Sequence, residues 1–138
     1  MNMSEIDEIR ERKFKQLKER YTNRGKNMEE NSPKSPLTIT DADIDEKIKK
    51  YEKMVIDCWA PWCGPCRMVG PVIEELAKEM QGDFVFGKLN VDENPATSSK
   101  HQIMSIPTLL IFRDGNLVDR LIGAMPKDML KAKLENYK

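Results

Sequence analysis

The sequence has no apolar run of roughly 18 residues, the length a membrane-spanning helix needs. It has no excess of charge either. Its 23 basic side chains match 23 acidic ones among 138 residues, so no strong field is available to hold nucleic acid or an anionic membrane. The N-terminus lacks the apolar core of a signal peptide, and its many acids argue against a transit peptide. Three cysteines, clustered, are too few for a disulfide framework. A metal site needs about four ligands, and only Cys58 and the single histidine, His101, could supplement the other two cysteines; no metal and no cofactor is expected. These absences together predict a cytoplasmic protein, monomeric, with no nucleic-acid or membrane partner. In a reducing compartment a close cysteine pair is catalytic or metal-binding rather than structural.

What is present divides unevenly. Residues 1–36 hold few apolar side chains and carry nine Lys and Arg against seven Asp and Glu. Ser4 is a candidate helix cap followed by acids in the first turn, where the helix dipole favours them. Ile6, Ile9, Phe14, Leu17 and Tyr21 make a thin apolar stripe, and Gly25 is a plausible helix end. The stretch 26–36, with two prolines and two asparagines, reads as a linker. This extension is expected to be a charged helix on a tether. It is either solvated or a docking element for a partner, and the interleaved acids speak against a nucleic-acid arm.

Residues 37–138 read as the globular domain. Leu37–Thr40 alternates like an edge strand. Thr40 or Asp41 is placed to cap a helix carrying Ile44 and Ile48. Met54–Trp59 is apolar on both faces except for Asp57, the pattern of a central strand covered on both sides. Pro61–Met80 has helical apolar spacing, with Pro71 inside it expected to kink the helix. Phe84–Val91 is a second long strand, and Asn94-Pro95 opens a short helix, with Asn94 placed to cap it and Pro95 at its first position. Thr108–Phe112 is a third apolar strand. Asp114-Gly115 signals a tight hairpin into an antiparallel strand, Leu117–Ile122, and Pro126–Tyr137 is a closing amphipathic helix. Alternating strands and helices demand parallel pairing early, and the hairpin demands antiparallel pairing late. An α/β fold results: a mixed sheet with helices on both faces.

Several separated stretches resemble the thioredoxin family. One is Val55-Ile56-Asp57-Cys58-Trp59-Ala60-Pro61-Trp62-Cys63-Gly64-Pro65-Cys66-Arg67-Met68. Others are Lys88-Leu89-Asn90-Val91-Asp92-Glu93-Asn94-Pro95, then Ser105-Ile106-Pro107-Thr108, and Gly123-Ala124. The resemblance covers residues 37–138 and does not extend to 1–36. It implies a five-stranded sheet ordered 1-3-2-4-5, with Cys63 at the start of the second helix. Cys58 stands where the family mostly has Phe, Arg67 where Lys is common, and Ser105 where Gly is frequent. None of these departures removes a group the chemistry requires.

Thiol–disulfide exchange needs an attacking thiolate and a second thiol to resolve the mixed disulfide. At a helix N-terminus unpaired N–H groups stabilise a thiolate, so Cys63 is the expected nucleophile and Cys66 the resolving thiol. Gly64-Pro65 places no charge between them, which favours a reductant over an oxidase. Burial should raise the Asp57 pKa. The resemblance makes Asp57 the proton acceptor for Cys66, through water, with Lys88 as its charge partner. It also implies a cis Pro107 beside the cysteines, which would leave the Ile106 backbone to pair with an extended substrate segment. Trp62, Gly64 and Pro65 are further candidate substrate contacts, as are Gly123 and Ala124, with Gly123 leaving room for a substrate backbone. Trp59 should pack under the turn, and Cys58 reads as a small buried hydrophobe.

The leading expectation is a protein-disulfide reductase, re-reduced by an NADPH- or ferredoxin-linked thioredoxin reductase and acting on disulfide-containing proteins. A disulfide isomerase or oxidase is one alternative. An adaptor of the same fold, binding through its N-terminal helix, is another.

Overall fold

The computed structural model describes residues 32–138; the helix expected over residues 4–25, and most of the linker after it, lie outside them. The strands are β1 (Leu37–Thr38), β2 (Lys53–Trp59), β3 (Val85–Asn90), β4 (Thr108–Arg113) and β5 (Asn116–Ile122). The helices are α1 (Ile44–Lys50), α2 (Gly64–Glu79), α3 (Pro95–Lys100) and α4 (Lys127–Glu135). The sheet runs β1-β3-β2-β4-β5. β3 lies parallel to β1 and β2, while β4 is antiparallel to both β2 and β5. This is the mixed sheet expected from the element pattern, in the strand order the family resemblance implies.

The central strand decides which residues can react. Successive side chains of β2 point to opposite faces. Val55 joins the core under α2 and α4, with Val69, Ile73, Leu76, Phe86 and Leu130. Met54, Ile56 and Cys58 join the opposite core, with Ile44, Ile48, Leu89 and Phe112. Asp57 therefore shares the α2 face with Val55, and Cys58 is turned away from it. α2 runs unbroken through Pro71, with Val69, Ile73, Leu76 and Ala77 as its buried stripe.

Two sequence expectations about helix starts need correction. α1 begins after Asp43, whose side chain makes no capping bond to the helix; its Oδ1 instead accepts from the Thr40 N–H at 2.8 Å. Asp41 caps a different helix. Its carboxylate accepts from the N–H groups of Ala96 and Thr97 and from the Thr97 hydroxyl, at 2.6–3.1 Å. Asn94, expected to cap α3, makes no capping bond; its side chain bridges the Asp41 N–H and the Asn90 carbonyl. In the hairpin, Asp114 and Gly115 both have positive φ, 51° and 83°. That is the requirement of a type I′ turn, and it explains the Asp-Gly pair.

Gly87 on β3 is a close-approach position. A Cβ there would lie 2.6 Å from Ile39 Cγ1 and 3.0 Å from Met54 Cε, and both neighbours are buried. Gly87→Ala is expected to destabilise the fold by about 1–3 kcal/mol through overpacking. Urea unfolding checks this, and an unchanged midpoint would mean that Ile39 swings aside at no cost.

Candidate active site

The chain leaves β2 at Trp59 and makes a turn, closed by the Cys63 N–H donating to the Ala60 carbonyl at 3.1 Å. Cys63 is extended (φ −83°, ψ 108°) and is the N-cap of α2, so the helix starts at Gly64 and not at Pro61. Gly64 and Pro65 form the exposed first turn. Proline is tolerated there because its missing N–H would have no partner inside the helix. Cys63 and Cys66 are joined as a disulfide, with Cα atoms 5.3 Å apart. The Cys63 Sγ accepts from the Cys66 N–H at 3.2 Å, which puts a sulfur lone pair on a free helix N–H.

The two sulfurs face different surroundings. Cys63 Sγ lies 3.7 Å from the Ile106 carbonyl oxygen. In the disulfide this is a contact without a proton; the reduced thiol can donate across it. The Ile106–Pro107 bond is cis. The loop is braced on both sides. The Thr108 hydroxyl donates to the Ser105 carbonyl at 2.6 Å, and the Gly123 N–H donates to the Pro107 carbonyl at 2.9 Å. Gly123 and Ala124 are thereby set beside the cis proline. Gly123 has φ 94° and nothing within 4 Å of where a Cβ would sit, so conformation as well as open space marks the position.

Cys66 faces inward. It lines a cleft of about 330 Å³ together with Trp59, Ala60, Gly70, Glu74 and Lys88. Asp57 is 1% exposed, and neither carboxylate oxygen has a hydrogen-bond partner. Burial pushes its pKa up to about 6, with the Lys88 charge pulling the other way. Lys88 stands opposite Asp57 in the parallel β2–β3 register. Its Nζ lies 3.9 Å from Glu74 of α2.

On the outer side a groove of about 490 Å³ runs past Trp62, Val91, Ile103, Met104 and Ile106. Trp62 is 69% exposed, and its Nε1–H donates to Asp92 at 2.9 Å, which tethers the indole. Trp59 packs against the cysteine cluster beneath the turn. Cys58 is fully buried. Burial, and then the Asp57 charge, raise its pKa to about 12, so it is a packing thiol with no thiolate character at neutral pH. His101 is half-buried, with its ring edge-on to Phe112. Among the described residues no group of three His, Cys, Asp or Glu could hold a metal ion. No helix there is long and apolar enough to cross a membrane.

The sequence reading missed Asp92, Glu74 and Arg67 as contributors to the site. Arg67 reaches back to the Pro61 carbonyl at 3.4 Å. Asp92 lay inside a recognised motif, but nothing in its local sequence announces an indole 30 residues away.

Comparison with known proteins agrees with this geometry. The family model described as Thioredoxin matches residues 35–136. Thioredoxins of Staphylococcus aureus strains Mu50 and MW2 are each 48% identical over 101 residues, covering 73% of this chain and 96% of the relative. A solved mutant thioredoxin from Halobacterium salinarum NRC-1 superimposes with a TM-score of 0.71 at 37% identity, covering 77% of this chain and 93% of that one. With the cysteine pair of residues 63 and 66 at the head of α2 and a family match over most of its length, the chain belongs to the thioredoxin family of disulfide oxidoreductases.

Proposed function

We propose that this protein is a dithiol reductant of disulfides in other proteins, with Cys63 as nucleophile and Cys66 as resolving thiol. The observation that carries the assignment is the asymmetry of the pair. Cys63 lies 3.7 Å from the Ile106 carbonyl oxygen, beside the cis proline where an extended target segment would pair. Cys66 lines the inner cleft, on the side of Lys88.

The Cys63 thiolate attacks one sulfur of the target disulfide. That S–S bond breaks, a mixed disulfide forms, and the first target thiolate leaves. Asp57, unpaired and with a pKa of about 6, takes the Cys66 proton by way of water in the cleft. The Cys66 thiolate then attacks the Cys63 sulfur and expels the second target thiolate. Two electrons have passed to the target, and the protein is left as the Cys63–Cys66 disulfide. Lys88 stabilises the Asp57 carboxylate.

An extended target segment lies along Ile106 and Pro107, with Trp62, Gly64, Pro65, Gly123 and Ala124 around it. Re-reduction comes from a thioredoxin reductase, NADPH- or ferredoxin-linked. The protein works as a monomeric electron carrier in the cytoplasm, where its dithiol state is maintained. It needs no cofactor, metal, nucleic acid or membrane. Residues 1–36 form a separate charged extension to the thioredoxin domain of 37–138.

The direct test is turbidity from insulin reduction with dithiothreitol as donor. The protein should shorten the lag well below that of dithiothreitol alone; an unchanged lag refutes the reductase reading. A second prediction separates the two cysteines. Cys66→Ser should accumulate a covalent mixed disulfide with the substrate that dithiothreitol releases. If Cys63→Ser traps substrate instead, the roles are reversed.

A further inference from the structure

α2 carries three acids near its middle and C-terminal half, and they divide between two neighbours. Glu75 and Glu79 turn to α4, where Lys127 binds them at 3.1 and 2.7 Å and Lys131 lies 3.7 Å from Glu79. Glu74 turns the other way, to Lys88 on β3, and lines the cleft that Cys66 opens onto. Lys88 has two acids within its range. One is exposed Glu74; the other is buried Asp57, opposite it across the strand pair and with both oxygens unbonded. Gly70, on the same face of α2, leaves the ammonium room, since even a Cβ there would stand 3.5 Å from Nζ.

We propose that Glu74 is a positioning residue that competes with Asp57 for the Lys88 ammonium and keeps it at the outer end of the cleft, short of the buried carboxyl. The proposal rests on the reading of Asp57 as the proton acceptor. A cation bonded directly to Asp57 would favour its ionised form and weaken it as a base; a cation held back by Glu74 leaves it stronger. The other groups facing this cleft are few. α2 contributes the Cys66 sulfur and the exposed Arg67. β4 sets uncharged Leu109 opposite Asp57. On β2 itself the neighbouring Cys58 points into the opposite core, where Arg120 acts on it.

The test reads Asp57 directly, as its carboxyl carbon resonance between pH 4 and 9 in the oxidised protein, for wild type, Glu74→Gln, Lys88→Met and the double variant. Glu74→Gln is expected to lower the Asp57 midpoint by about 0.5 pH unit, because Lys88 then has one acid to approach. Lys88→Met should raise it. In the Lys88→Met background the Glu74→Gln shift should disappear, since a residue that acts through Lys88 has no effect without it. A shift of equal size in both backgrounds would mean that Glu74 acts on Asp57 by its own charge, and would overturn the proposal. So would no shift, or a rise, in the single variant. A purely structural role for Glu74 would alter unfolding but not this coupling. The titration is read whether or not the protein reduces insulin, so loss of the coupling and failure of the reductase assay are separate results.

Discussion

Cys63→Ser is expected to remove catalysed disulfide reduction entirely, a fall of about a thousandfold or more to the dithiothreitol background. Two changes act together. A serine hydroxyl is scarcely ionised at neutral pH, so the helix N-terminus that stabilises a thiolate has no nucleophile to act on. An oxygen cannot form the mixed disulfide through which exchange runs. The fold should survive, because Cys63 contributes an N-cap and serine is a good N-cap residue. The Sγ now accepting from the Cys66 N–H would be replaced by an Oγ able to accept the same bond. Insulin turbidity, with circular dichroism as the control for folding, checks both halves. Retained activity would sink the assignment of Cys63 as nucleophile.

Asp57→Asn should have the opposite signs for stability and for rate. Asp57 is 1% exposed and has a folded pKa of about 6 against an ordinary value of 3.8. Because the folded pKa lies above the unfolded one, the folded state binds this proton more tightly. Its favourable contribution is fully present below about pH 3.8 and is lost as pH rises through about 6. The rise from 3.8 to about 6 corresponds to at most about 3 kcal/mol. The wild type should therefore be less stable at pH 8 than at pH 4 by about 2 kcal/mol on account of this one group. Asparagine has the same shape and does not ionise. Any fixed cost of its amide is the same at every pH, so the gap between variant and wild type should widen by about 2 kcal/mol from pH 4 to pH 8 in favour of the variant. Urea unfolding of the oxidised proteins across that range measures it. A gap that does not change with pH would mean that Asp57 ionises freely. The same variant should resolve mixed disulfides more slowly, since Cys66 loses its proton acceptor.

Much of this site could be read from one dimension because its signals are local. β2 was legible as a central strand since Met54, Val55, Ile56 and Cys58 are apolar on both faces, and Asp57 stood out as the one acid among them. The hairpin was legible since Asp114-Gly115 must take positive φ at both positions. Apolar spacing alone carried α2 back to Pro61, while the family resemblance put its start at Cys63, which is the N-cap. Pro61 and Trp62 are compatible with a first turn, and only the extended Cys63 shows that the helix starts after it. Helix capping failed for a different reason. Asp41 has the side chain of a cap, but its partners are Ala96 and Thr97, more than 50 positions away, and proximity in sequence cannot choose between the two helices.

By itself the sequence determined the order of strands and helices, the spacing of Cys63 and Cys66, and the presence of an acid in the central strand. Each follows from backbone preferences and apolar periodicity acting over a few residues. The tertiary structure decided which face Asp57 shares, why Cys58 is inert, and that the two sulfurs have different neighbours. It also decided that Lys88 lies between two carboxylates. These depend on strand register and on which helix covers which face of the sheet, and both are set by packing between segments distant in the chain.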